Sequence, residues 1–244
     1  MSLQKDVIIV AGATRGLGRE LARQAYVRGY PLALLARNLA ELTELQKILQ
    51  TNHSSHVSIH AVNLSDANNT HEAFKNIVKA HKKIFALVNC AATWTGGKSV
   101  EQLSAADMHE SIMLNFFSAF NPIKSMLDFL PADVICKPAA IVNVGATASL
   151  RGSKNCSAFA VAKGALRQLS QSLARELWPE SIHVAHLIID GLIANERTQS
   201  LNQGLESSRF IDMSAIADSI LHVIQQERSC WTFEWDIRPF NEPW

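Results

Sequence analysis

Two patterns of apolar residues alternate along the chain. Short runs with hardly a polar position (DVIIVAG, PLALLAR, HVSIHAVNL, IFALVNCAA, AAIVNVGA, IHVAHLIID) are separated by longer stretches in which apolar residues recur at helical spacing. Near-continuous apolar runs are the pattern of strands buried on both faces, and the helical stretches between them read as crossovers. The first helix, LGRELARQAYVRG, closes at Gly29; the second opens at an Asn38 cap and the third at Ser65 or Asp66. A long helical run opens at Ser104, and Pro122 inside it predicts a bend, because proline has no N–H for the helix ladder. A further helix runs from about Ser157 to Leu177, and a last one, DMSAIADSILHVIQQ, precedes CWTFEWDIRP. The alternation predicts an α/β fold: one doubly wound, Rossmann-type domain over residues 1–244 with a mostly parallel sheet. Such sheets bind ligands outside the carboxyl ends of their strands.

With 244 residues and 48% hydrophobic content, the chain can bury one large core. A net charge of +1 points to no nucleic-acid partner, and no apolar run is long enough to span a bilayer. The opening MSLQKDVIIV runs straight into a strand, leaving no room for a signal peptide, so the expected location is cytoplasmic. Cys90, Cys136, Cys156 and Cys230 form no CxxC and read as reduced, mostly packed thiols. No histidine pair suggests a metal site; His183 and His186, three apart in a strand, face opposite sides and read as structural.

The candidate chemistry begins at the first strand end, AGATRGLG. Gly12, Gly16 and Gly18 either make a tight turn and nothing more, or let backbone N–H groups approach a pyrophosphate at the helix N-terminus. Arg15 sits in this loop and Arg37 follows the second strand, where no acidic residue is present to bind ribose hydroxyls. Two guanidiniums there favour a 2′-phosphate, hence NADP(H), over two merely solvated arginines. In SAFAVAK, Phe159 and Lys163 lie one helical turn apart on the same face.

These features together resemble the short-chain dehydrogenase/reductase family over nearly the whole chain. AGATRGLG looks like the family's TGxxxGxG with Ala11 for Thr, and Asn63 stands where the family usually has an adenine-contacting Asp. NCAA, beginning at Asn89, looks like NNAG, while DGLI at 190–193 resembles the family's Pro-Gly turn with Asp190 for Pro. Asn115 matches the catalytic Asn, and Lys163 matches the Lys of YxxxK. The resemblance implies a sheet of about seven strands. It also implies a cofactor site of Gly12, Thr14, Arg15, Gly16, Leu17, Gly18, Arg37, Asn63, Asn89, Lys163, Gly191 and Ile193.

It further implies a catalytic set from which two members are missing. Phe159 occupies the Tyr position, and Ala146, thirteen residues earlier, the Ser position; Asn115 and Lys163 remain. The only tyrosines, Tyr26 and Tyr30, belong to the first helix and its end, on the far side from the reacting carbonyl. Thr147, Ser149, Ser153 and Ser157 read as ordinary loop hydroxyls. Losing a positioned acid costs about 10²–10⁴ in rate and losing an oxyanion donor about 10²–10³, so ordinary ketone reduction is crippled. The segments GATASLRG and FAVAKGALRQ and the Trp- and Pro-rich tail resemble a bacterial branch of the family in which Phe recurs at this position.

Two functions follow. One is an NADP(H)-dependent oxidoreductase with an altered proton donor, acting on a small molecule; the other is an NADP(H)-binding protein without turnover, acting as a sensor or partner subunit. Trp94 is a candidate wall of the substrate cleft, and Trp231, Trp235 and Trp244 are read as core or subunit contacts. The 157–177 helix, apolar on more than one side, predicts a homodimer or homotetramer.

Overall fold

The computed structural model describes residues 6–51, 55–81, 83–130 and 139–242. The strands are β1 (Val7–Ala11), β2 (Leu32–Ala36), β3 (Val57–Ala61), β4 (Ile84–Asn89), β5 (Ala139–Val144), β6 (Ile182–Ile189), β7 (Leu192–Ile193), β8 (Phe210–Ile211) and β9 (Glu234–Ile237). The helices are α1 (Gly16–Val27), α2 (Leu39–Gln50), α3 (Ala67–Ala80), α4 (Ala105–Ile112), α5 (Ser118–Phe129), α6 (Ser157–Leu177), α7 (Glu196–Leu201) and α8 (Met213–Val223). Seven strands form one parallel sheet in the order β3-β2-β1-β4-β5-β6-β9, and β7 and β8 make a separate two-stranded pair. Strand order reverses between β1 and β4, and that switch point opens the crevice used by this class of fold.

Both faces of the sheet's centre are covered, which is why β1 and β2 are apolar at every position and β4, β5 and β6 nearly so, whereas the edge strands β3 and β9 carry Ser58, His60, Glu234 and Asp236. Ile8 and Val10 pack beneath α1, α2 and α8 with Leu21, Leu42 and Ile216. Val7, Ile9 and Ala11 face α3, α5 and α6 with Phe74, Met126 and Leu173. His183 and His186 take opposite faces of β6: His183 stacks on Trp231, and His186 reaches Ser170 of α6. Asn38 caps α2 through Ala40 N and Glu41 N, and Asp66, not Ser65, caps α3 through Asn69 N. Ser65 turns instead to Met113 O at 2.8 Å.

The long helical run is not continuous. Between α4 and α5 lies a π-helical turn, Met113–Phe117, so the irregularity falls ahead of Pro122. Pro122 cannot use the carbonyl of Ser118, and the widened turn ends immediately before that residue. The expectation of mostly packed thiols needs correction too: Cys90 and Cys156 are half-buried, Cys230 is exposed, and Cys136 lies outside the described residues. Trp231 and Trp235 pack within their own chain, on His183 and through a 3.0 Å bond to Ser219; Trp244 lies outside the described residues. On α6, Val161 is 50% exposed.

Candidate active site

The glycine turn after β1 is packed to the limit of its backbone. A Cβ on Gly18 would lie 2.1 Å from Gly12 O, and one on Gly12 would lie 2.8 Å from the backbone of Ala91. Gly12 and Gly16 both have positive φ, 84° and 55°, which side chains disfavour. Cys90 N donates to Ala11 O at 2.9 Å, tying β4's end to this turn. Arg15 is the N-cap of α1 and is exposed, and Arg37 is exposed just past β2. Asn63 is exposed, with its Oδ1 accepting from Ser65 N at 3.2 Å. Thr14 is half-buried, whereas the Leu17 side chain is buried in the core beneath α1. Asn89 points inward, its Nδ2 donating to Asn143 Oδ1 at 2.8 Å, which leaves its backbone at the crevice.

The second half of the site gathers around α6. Lys163 is 2% exposed and donates from Nζ to Val144 O at 2.9 Å. Its ammonium lies 5.8 Å from the Phe159 ring centroid, within cation–π reach. Burial pulls its pKa from 10.5 down to about 8, with the neighbouring Cys90 acting the other way. Burial pushes the Cys90 thiol up to about 12 against the pull of Lys163. Phe159 is buried and meets the Trp94 ring at 5.0 Å. Trp94 is 53% exposed, and its ring lies over Gly96, where a Cβ would come within 2.4 Å. Asn115 is buried with both ends of its amide engaged: Oδ1 accepts from Thr93 N at 2.9 Å and Nδ2 donates to Ser111 O at 3.2 Å. Its side chain therefore fixes the segment that presents Trp94. Ala146 begins a short turn closed by Ser149, whose Oγ accepts from Ala146 N at 3.2 Å.

The expected exclusion of the tyrosines holds. Tyr26 is buried beneath α1, and Tyr30 stacks on Phe85 near the amino end of β4, opposite the crevice. Two groups escaped the sequence reading. One is a buried polar row from Asn89 through Asn143 and Ser170 to His186, linked at 2.8, 2.9 and 3.3 Å. Burial and the Lys163 ammonium hold His186 neutral, with its pKa down at about 4. The other is Asp190, whose carboxylate accepts from Thr147 Oγ1 at 2.6 Å. Its place in the Pro-Gly position was the only signal. Gly191 packs under Pro239, and Ile193 pairs with Ile211 in the β7–β8 ladder.

A glycine turn this tight at the switch point of an all-parallel sheet defines a doubly wound α/β protein, a class whose ligands bind at the strands' carboxyl ends. Comparison narrows the class: residues 6–206 match the short chain dehydrogenase family, an oxidoreductase family, and the chain belongs to it. It is 28% identical over 224 residues to the bovine (Bos taurus) 3-oxoacyl-[acyl-carrier-protein] reductase, covering 90% of this chain and 91% of that one. Its fold is similar to that of an archaeal Thermococcus sibiricus alcohol dehydrogenase complexed with 5-hydroxy-NADP (TM-score 0.84, 21% identity, 98% of each chain). It is also similar to an NADPH-bound short chain oxidoreductase from Pseudomonas aeruginosa PAO1 containing an atypical catalytic center (TM-score 0.87, 18% identity, 98% of this chain and 97% of that one). No described helix is long and apolar enough to cross a membrane.

Proposed function

We propose that the chain is an NADP(H)-dependent reductase of small molecules whose acceptor carbon belongs to a conjugated, electron-poor double bond and not to a simple ketone. The observation that carries this reading is the buried Lys163 ammonium beside Phe159, a ring that cannot donate a proton. The glycine turn fits a dinucleotide: Gly12 and Gly18 let the turn close against Ala91 and against itself, and Gly16, with open space where a Cβ would stand, leaves the N-terminus of α1 accessible to a pyrophosphate. Arg15 and Arg37 would hold a 2′-phosphate; Lys163 and the Gly191–Ile193 turn would hold the nicotinamide half. The bound dinucleotide supplies a hydride. Lys163, with its pKa near neutrality, holds a proton that water can deliver after hydride reaches carbon. Ketone reduction needs a donor at the carbonyl oxygen as charge develops, and neither Ala146 nor Phe159 provides one. Trp94 and Phe159 form an aromatic wall suited to a flat conjugated ligand.

The relatives named reductase or bound to NADP-type ligands support the cofactor choice. The test is calorimetric titration with NADPH and NADH, followed by a screen for NADPH consumption over ketones, enones and quinones. Enone or quinone turnover with ketones inert is the expected result. Ordinary ketone turnover overturns the active-site reading. Tight NADPH binding without consumption favours the second reading, a sensor or partner subunit, to which the fully engaged Asn115 amide also lends weight.

A further inference from the structure

Asp190 differs from the proline of the family's turn in having a backbone N–H, and it donates this to Ile237 O of β9 at 2.9 Å. Its side chain is 5% exposed: Thr147 Oγ1 donates to Oδ1 at 2.6 Å, and Oδ2, which has no hydrogen-bond partner, is in ion-pair contact with Arg238 Nη2 at 3.1 Å. Arg151 stands at the rim, 3.9 Å away. Arg238 is in turn held by Asp236 Oδ2, through Nε at 3.0 Å and Nη2 at 2.7 Å. Next in the chain, Pro239 seats on Gly191, where a Cβ would lie 2.7 Å from Pro239 Cδ. Farther on, Asn241 O accepts from Arg209 Nη1 at 2.6 Å. Residues 238–241 are thus tied to the turn after β5, the turn after β6 and the segment leading into α8.

We propose that Asp190 is a positioning residue which, with Arg238, latches the Thr147 turn and the 191–193 turn to the C-terminal tail, making the tail part of the site's frame. This rests on the reading of these two turns as walls of the nicotinamide end. A carboxylate this buried needs its counter-charge, and removing Arg238 leaves it only Arg151 at 3.9 Å, so the two turns and the tail hold one arrangement together. The latch also explains why Thr147 does not replace the missing serine: its proton is committed to Asp190 and not directed at a substrate.

Amide hydrogen exchange on the cofactor-free protein tests the latch apart from the functional reading. In Arg238→Met, exchange should accelerate about tenfold at 147–151 as well as at 191–195, while 7–27 stays unchanged. Asp190→Asn should do the same, and the double variant should show less than the sum of the two single effects, because both remove the Asp190–Arg238 pair. Arg238→Lys should restore part of the protection, and it carries the comparison if the methionine variant does not fold. In the same variants the NADPH Kd should rise about tenfold, since the frame must be re-formed on binding. Unchanged protection at 147–151, or additive effects of the two substitutions, overturns the latch. Failure of the native protein to bind NADPH overturns the proposed function and leaves the exchange result standing.

Discussion

Replacing Lys163 by methionine should make the fold more stable at neutral pH while removing most of its affinity for NADPH. The folded pKa of about 8 lies below the unfolded 10.5. Below pH 8 the lysine is charged in both states, and burying it costs about 3 kcal/mol, at about 1.4 kcal/mol per unit. Between pH 8 and 10.5 the unfolded chain binds more protons than the folded one, so stability rises with pH and the cost disappears. Methionine keeps the stem and carries no charge. It forfeits the 2.9 Å bond to Val144 O, and leaving that carbonyl unpaired costs about 1–2 kcal/mol. The net expectation at pH 7 is a gain of about 1–2 kcal/mol, shrinking above pH 8 and reversed near pH 10. Urea unfolding of both proteins at pH 7, 8.5 and 10 measures this, because groups remote from Lys163 cancel in the difference and its coupled neighbours, Cys90 and His186, stay neutral in the fold across that range. NADPH titration of the same samples supplies the functional half. A variant less stable than the parent at pH 7, or two parallel pH profiles, would refute the reasoning about the buried ammonium. Unchanged NADPH binding would leave Lys163 without a place in the site.

Arg37→Ala should weaken NADPH by about tenfold and leave NADH unaffected, because only the 2′-phosphate distinguishes them; calorimetry showing equal losses contradicts this. Phe159→Tyr combined with Ala146→Ser should raise ketone reduction by about 10² or more, and a flat response in the ketone screen counts against the assignment of those two positions. His81 and His186 both titrate near 4 in the fold against 6.5 unfolded. The unfolded chain takes up their protons first, so stability falls as pH drops from 6.5 toward 4, by about 3 kcal/mol for each. His186→Gln should flatten that slope in urea melts, and an unaltered slope argues otherwise. Light scattering should report a dimer or tetramer at micromolar concentration, with Val161 of α6 at the contact; Val161→Lys should shift it toward monomer.

Much of this protein was decided locally, and what is local can be read from the chain. The central strands β1 and β2 are apolar throughout because helices cover both faces, and the caps at Asn38 and Asp66 follow from side-chain oxygens placed next to free N–H groups. The bounds of α6, Ser157–Leu177, were legible for the same reason. So was the glycine turn, since it depends on residue type at fixed spacing. The π-helical turn ahead of Pro122 was not legible, because a helix relieves a missing donor wherever neighbouring packing permits. Nor was the inward turn of Asn89, which depends on Asn143 lying opposite it across two paired strands. The depressed pKa of Lys163 and the union of Thr147, Asp190 and Arg238 belong to the tertiary structure alone. Residues 43 and 48 positions apart in sequence meet there only because β5, β6 and β9 are neighbours, and burial sets the strength of their charges.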